Sequence, residues 1–426
     1  MIILKAIVYG AGKSGIGAKK LLEKNGYEVI LVDDNNGISS NEAKKYLDEI
    51  DIFVKSPGIP YNEFVKLAID KKINIIDEIE LAYMYMNKNI KIIAITGTNG
   101  KTTVTTKIKE LLEYNNYKVK YAGNIGIPFS EIVLENEELD YIVLELSSYQ
   151  LENIKTFKPY ISMIINLTPD HMNRYNSLDE YYNAKFNIYK NCNENDYFIL
   201  NIDDKEIINR FNKKIKLKKI SLINEADIFY KDDFIFINKE MYINKNNLSL
   251  KGIHNIQNIL FIISVSEILK LDREKLRNFL ETTSTLEHRM EEFFKKESIL
   301  FLNDSKGTNV DSTIKAIQAF EKKIVLIVGG KDKKVDLYPL CKVIKERVKK
   351  VYLIGETADI LEKILLELNY KKENIKNLKT IEKVVENLEL ESEIILFSPA
   401  HSSFDQFKNF EERGKIFKKL ILEKFN

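Results

Sequence analysis

The chain has 426 residues, enough at roughly 150 per domain for about three domains, each with a core of its own. Its 65 Lys and Arg face 63 Asp and Glu, and a formal balance of +2 gives no polyanion-binding signature, which sets nucleic acid aside as a partner. Cys192 and Cys341 stand far apart without a CxxC pattern, there is no secretory signal and no run of about 18 uncharged apolar residues, so we expect a soluble cytoplasmic protein with no disulfide framework, no zinc site and no membrane partner.

Short apolar, β-rich runs alternate with helical segments along the whole chain, the pattern of parallel sheets with crossover helices, so the fold class is α/β. A strand over 6–9 leads through Gly10-Ala11-Gly12-Lys13-Ser14-Gly15 into a helix over 13–24, and a second strand over 28–32 ends at Asp33. Such glycines let backbone N–H groups and a helix N-terminus approach a phosphate, and an acid after the next strand is placed to bond a ribose. By itself the motif suggests a dinucleotide site or a bare βα turn. A third strand over 52–54 ends at Ser56-Pro57-Gly58, and a helix over 77–86 precedes the polar Asn87-Lys88-Asn89, where the first domain, 1–88, should close.

The strand over 90–95 runs into Thr96-Gly97-Thr98-Asn99-Gly100-Lys101-Thr102-Thr103 and then a helix. Backbone N–H groups of such a loop cradle phosphates, the lysine neutralises β and γ oxygens, and the Thr102 hydroxyl reaches Mg²⁺. The glycine spacing is shorter than the usual Walker pattern, which marks a particular variant of nucleotide loop. Strands over 141–144 and 161–165 end at Glu145 and at Asn166-Leu167-Thr168-Pro169-Asp170-His171. Both acids and the histidine thereby fall at the carboxyl edge of the nucleotide sheet, where a hard cation would be held through oxygen. A strand over 197–200 and a Lys/Asn-rich β-like stretch over 213–250 complete a middle domain, 89–285. The last domain, 286–426, has strands over 299–302, 324–328, 351–354 and 394–397.

Residues 97–103 resemble the ATP loop of the Mur ligases and the related folylpolyglutamate synthetases. Gly123-Asn124-Ile125-Gly126, the run 145–152, Asp170-His171-Met172-Asn173-Arg174-Tyr175 and Glu287-His288-Arg289-Met290-Glu291 are similar to the members that add D-glutamate. So are Asn303-Asp304-Ser305-Lys306-Gly307-Thr308-Asn309 and the stretch 398–410 running on to Arg413-Gly414. The resemblance implies a three-domain protein: a Rossmann-like UDP-binding domain, a central P-loop-type ATPase domain with a parallel sheet, and a C-terminal Rossmann-like α/β domain. It implies small-molecule substrates, D-glutamate and UDP-N-acetylmuramoyl-L-alanine, an acyl-phosphate intermediate, ATP and two Mg²⁺ ions, a monomer, and a closure of the lobes that excludes water.

Carried over residue by residue, the resemblance seats the UDP-sugar on Gly12, Lys13, Ser14, Gly15, Asp34, Asn35, Ser56, Gly58 and Asn124. ATP would meet Gly97, Thr98, Asn99, Gly100, Lys101, Thr102 and Thr103, with Asn258, Arg289 and Asp304. Thr102, Glu145, His171 and a carbamylated Lys185 would serve the metals, and Lys101, His171 and Lys185 the catalysis. D-Glutamate would lie on Lys306, Thr308, Lys333, Ser403 and the backbone of Phe410, two cations and several donors suited to a dicarboxylate. The alternative enzymes are a sister ligase that adds another amino acid and a folate-type ligase. A nicotinamide oxidoreductase would leave the ATP loop unexplained.

Overall fold

The computed structural model describes residues 4–170, 174–284 and 286–425. Its first sheet comprises β1 (Leu4–Tyr9), β2 (Tyr27–Val32), β3 (Ile52–Lys55) and β4 (Ile75–Ile76), all parallel in the order β2-β1-β3-β4. Parallel strands are covered on both faces, which is why β1 and β3 are nearly continuous apolar runs. The covering helices are α1 (Lys13–Lys24), α2 (Ser40–Ala43), α3 (Glu63–Asp70) and α4 (Glu78–Tyr85).

The second sheet has nine strands: β5 (Lys91–Thr96), β6 (Val119–Gly123), β7 (Tyr141–Glu145), β8 (Ile161–Ile164), β9 (Tyr197–Asn201), β10 (Lys216–Ser221), β11 (Ile228–Lys231), β12 (Phe234–Ile237) and β13 (Glu240–Asn244). Its order is β13-β12-β11-β10-β9-β8-β5-β7-β6, parallel except for the β11-β12-β13 meander. The meander turns at Asp232-Asp233 and Asn238-Lys239, all four with positive φ, the primed geometry that matches strand twist. The helices here are α5 (Lys101–Tyr114), α6 (Phe129–Glu135), α7 (Leu178–Phe186), α8 (Lys205–Arg210), α9 (Ile253–Leu269) and α10 (Arg273–Thr282). The α9 helix is apolar almost all round and runs buried against one face of the sheet.

The third sheet, order β14-β15-β19-β16-β17-β18, comprises β14 (Glu291–Lys296), β15 (Ile299–Asn303), β16 (Ile324–Gly329), β17 (Val348–Ile354), β18 (Ile375–Lys379) and β19 (Ile394–Phe397), with only β14 antiparallel. One face carries α11 (Val310–Gln318), α12 (Tyr338–Arg347) and α13 (Ala358–Glu367), the other α14 (Ile381–Glu386) and α15 (Phe410–Phe425).

The α/β class and three parallel-rich sheets are thus what the chain has. Contacts divide it into two compact units, Met1–Lys251 with Asn255–Thr282, and Gly252–His254 with Thr283–Asn426. The first and second sheets share one buried cluster, in which Ala6 and Val8 pack with Ile142 and Leu144. The junction is also polar: the buried Glu80 carboxylate of α4 accepts from Lys155 N at 3.0 Å, Thr156 N at 2.6 Å and Phe157 N at 2.9 Å. Position 285, the expected end of the middle domain, lies outside the described residues. Among the described residues no helix is long and apolar enough to cross a membrane.

Candidate active site

In the second sheet β5 lies between β7 and β8, and α5 carries the chain from β5 past β7 to the edge strand β6. Strand order therefore reverses at β5, and the crevice at the carboxyl end of such a strand collects ligands. The loop 97–100 fills that position. Gly97 and Gly100 have φ of 146° and 84°, and a Cβ on Gly100 would stand 2.6 Å from Asn258 Oδ1, so the sequence can turn this tightly only with glycine. Asn166 clamps the loop, accepting from Thr98 N through its carbonyl and from Asn99 N through Oδ1, both at 2.9 Å. The first N–H groups of α5 point out of the loop with no side-chain cap, an anion seat by construction. Lys101 folds back over it, Nζ donating to the carbonyls of Gly97 and Thr98 at 2.9 Å each.

Two buried groups close on this loop. Lys185, from α7, is 2% exposed, donates to the same Gly97 carbonyl at 2.9 Å and lies 4.7 Å from the Tyr181 ring centre. Burial, and then the charge of Lys101, push its amine well below the ordinary lysine range against the pull of Asp170 and Glu145, which favours an uncharged nitrogen. Glu145 ends β7; its Oε1 accepts from Asn124 Nδ2 at 2.9 Å, while the buried Oε2 has no hydrogen-bond partner among the described residues. An anionic oxygen left unsatisfied beside a phosphate-type loop and a half-buried Thr102 suits a hard cation such as Mg²⁺, so the donor set fits. His171 lies outside the described residues.

In the first sheet the turns after β1 and β3 are neighbours. Ser56 Oγ donates to Gly10 O at 3.1 Å, and Gly15 presses so close that a Cβ there would stand 1.8 Å from the same carbonyl. Gly12 and Lys13 are exposed at the start of α1, as is Gly58 in the neighbouring turn, with Ser14 half-buried. Asp33 is a structural acid: its carboxylate accepts from Ala11 N at 2.7 Å and from Asn35 N and Asn36 N at 3.0 Å each, which holds the glycine turn. Asp34 accepts from Tyr9 OH at 2.6 Å and Ser40 N at 2.7 Å, and Asn35 stands exposed beside it. Asn124 joins Glu145 rather than this cluster, bonding both its side chain and, at 2.8 Å, its backbone carbonyl.

In the second unit, Asp304 follows β15 and Ser398 follows the adjacent β19. Asp304 Oδ2 accepts from Ser398 Oγ at 2.7 Å, and burial pushes the carboxyl up to about 6 against that bond and the charge of Arg289. Lys306 Nζ sits 3.9 Å from the centre of the Phe410 ring, and Lys333 Nζ donates to Thr308 O at 3.2 Å, so the candidate amino-acid residues gather in two pairs. Ser403 is buried nearby in sequence on the loop that precedes α15. Sequence reasoning gave Arg413 no role, yet this 1%-exposed side chain ties three segments, donating to Ser305 Oγ at 3.1 Å, Ser305 O at 2.8 Å and His401 O at 3.0 Å. A signal was present: Arg413 shares the buried stripe of α15 with Gly414, Phe417 and Ile421, where an unpaired charge would be untenable.

Residues 95–266 match the family model described as the Mur ligase middle domain, and residues 288–401 the one described as the Mur ligase, glutamate ligase domain. A protein of Fusobacterium nucleatum named UDP-N-acetylmuramoylalanine--D-glutamate ligase is 54% identical over 431 residues, 99% of each chain. The chain belongs to the Mur ligase family. Its fold agrees: the UDP-N-acetylmuramate-alanine ligase MurC of Thermotoga maritima superposes with a TM-score of 0.63 at 17% identity, covering 100% of this Mur ligase and 99% of that chain. The MurF ligase of the same organism, solved in complex with ADP, gives 0.62 at 16% identity over 89% and 92%.

Proposed function

We propose that this Mur ligase joins D-glutamate to UDP-N-acetylmuramoyl-L-alanine, using ATP, in the synthesis of peptidoglycan precursors. The observation that carries the chemistry is the packing of Lys101, buried Lys185 and the half-satisfied Glu145 carboxylate about one glycine loop, in a chain that matches a D-glutamate ligase from end to end. The reading assigns the UDP-sugar to 1–88, ATP to 89–285 and the amino acid to 286–426, in a cytoplasmic monomer.

A free carboxylate is a poor acyl donor because oxide is a poor leaving group. An oxygen of the alanyl carboxylate therefore attacks the γ-phosphorus, the bond to ADP breaks, and an acyl phosphate forms. The D-glutamate amine then attacks the acyl carbon, loses a proton, and expels phosphate. Lys101 neutralises the phosphate oxygens that gain charge, and the N–H groups at the start of α5 hold them in line. The uncharged amine of Lys185 would add CO₂ and release a proton to become an anionic carbamate, which with Thr102, Glu145 and His171 would hold Mg²⁺; bound there, Mg²⁺ would supply Lewis-acid stabilisation of the transferring phosphoryl group. Lys306 and Lys333 pair with the two carboxylates of D-glutamate.

The test is phosphate release from ATP with UDP-N-acetylmuramoyl-L-alanine, comparing D-glutamate with L-glutamate, L-lysine and meso-diaminopimelate. D-Glutamate alone should stimulate it, and Lys101→Ala should lower turnover by at least about a thousandfold with the fold intact. Stimulation by another amino acid and not by D-glutamate would move the chain to a sister reaction.

A further inference from the structure

Two residues of the matched motifs have no part in the chemistry above, Glu152 at the end of the 145–152 run and Arg174 four positions after Asp170. They meet each other. Arg174 NH2 lies 3.2 Å from Glu152 Oε2 and also donates to Ile59 O at 3.1 Å, with the guanidinium 4.4 Å from the Tyr149 ring centre. Ile59 belongs to the turn after β3, closed by Ile59 N donating to Ser56 O at 3.0 Å, and this turn carries Ser56 and Gly58. Lys55, fully buried, approaches from beneath, its Nζ 3.2 Å from the same carbonyl and 3.4 Å from Glu152 Oε2. Tyr175 OH donates to Glu152 Oε1 at 3.0 Å.

One carbonyl of the first sheet's turn is thus gripped by two cations that share a single carboxylate of the second sheet's domain. Arg174 is the element of this knot that belongs to the segment after β8, and Asp170, earlier in that segment, acts by its charge on Lys185 beside the nucleotide loop. A planar fork stacked on a tyrosine and 13% exposed has little freedom to let go. We propose that Arg174 is a positioning residue for the UDP-sugar: it holds the 56–59 turn in register with the nucleotide loop, so that the sugar-linked carboxylate is delivered at a fixed place. The inference rests on the function proposed above, through the assignment of Ser56 and Gly58 to the UDP-sugar.

The experiment measures calorimetric binding of UDP-N-acetylmuramoyl-L-alanine and the three KM values for wild type, R174Q, R174K and the E152Q/R174Q pair, together with melting temperatures. R174Q should weaken UDP-sugar binding about tenfold, as expected for one charge-assisted hydrogen bond, while KM for ATP and for D-glutamate stays within about twofold. R174K should recover part of the loss. The pair should remain as weak as R174Q, because the Ile59 carbonyl still lacks the Arg174 fork and is left with Lys55 alone, although the charge on Glu152 is gone. Restored binding in the pair would mean that Arg174 only balances a buried charge, and would overturn the proposal. So would unchanged binding in R174Q, or a uniform rise in all three KM values with a lowered melting temperature. Wild type that binds the UDP-sugar without turning over would sink the proposed reaction and leave the positioning role to be judged on affinity; wild type that does not bind it sinks both.

Discussion

At the scale of single residues, the glycine turn of the first sheet gives the sharpest contrast. Gly15 has a backbone carbonyl, Gly10 O, 1.8 Å from where its Cβ would be, and a carbonyl buried in a sheet turn cannot swing away as a flexible side chain would. Gly12, three residues earlier in the same motif, has nothing within 4 Å of its Cβ position. Gly15→Ala should therefore part the β1 and β3 turns and abolish measurable UDP-sugar binding, at about 2–3 kcal/mol of stability. Gly12→Ala should stay within about 1 kcal/mol of wild type, the cost of a poorer helix cap. Denaturant titration of both variants checks the pair, and equal losses would mean that the turn yields. The sequence identified both glycines as one motif but could not rank them, because the difference lies in how closely α1 folds back on the Gly10 carbonyl, with Ser56 Oγ of the distant β3 turn next at 2.9 Å. Arg413 and Arg174 were likewise present in recognised segments without a role, since each also binds distant backbone carbonyls, which no residue type announces.

At the scale of elements, the nucleotide loop and its flanking β5 and α5 were legible because strand, glycine, lysine and helix fall within a dozen consecutive residues. Helix α3 and the strands β4 and β6 were not: β4 has two residues, and β6 is a five-residue edge strand interrupted by Lys120, so neither carries a long apolar run. Helix α4 was legible as a helix but not as a joint. Glu78 in its first turn is buried, accepts from Ser130 N at 2.5 Å through Oε1, has no partner for Oε2 among the described residues, and faces Glu131. Burial pushes its carboxyl up to about 7. A raised carboxyl binds its proton in the folded state where the unfolded chain has lost it, so stability falls as pH rises from about 4.5 through 7. Glu78→Gln keeps the Ser130 bond and removes the ionisation. Its melting temperature should match wild type near pH 4.5 and exceed it by several degrees at pH 8; parallel curves would show that Glu78 does not titrate across this window.

At the scale of the whole molecule, composition allowed three self-sufficient blocks, and the distribution of buried groups argues for a different hierarchy. The third sheet is covered by its own helices on both faces: Ile317, Leu340, Ile344 and Leu361 pack on one side, Val384, Phe417 and Ile421 on the other. The residues of those two clusters all lie between 290 and 425, a segment of ordinary single-domain size. The first sheet is not closed in this way. One of its faces shares a core with the second sheet, and Asp77, Glu78 and Glu80 are buried carboxylates that each accept from that neighbour, through Asn153 N, Ser130 N and the 155–157 backbone. Cut away, this face would expose Val8, Leu21, Leu22, Ile76 and Leu81 together, a large apolar patch flanked by unpartnered acids. A fragment of residues 283–426 should therefore unfold in a single cooperative transition with full near-ultraviolet dichroism, whereas a fragment of residues 1–88 should bind hydrophobic dye and melt without cooperativity unless the 89–282 segment is supplied with it. Cooperative melting of the isolated 1–88 fragment would show that its own second core, around Tyr9, Phe53 and Phe64, suffices, and that the shared face and buried acids fasten a finished domain rather than complete an unfinished one.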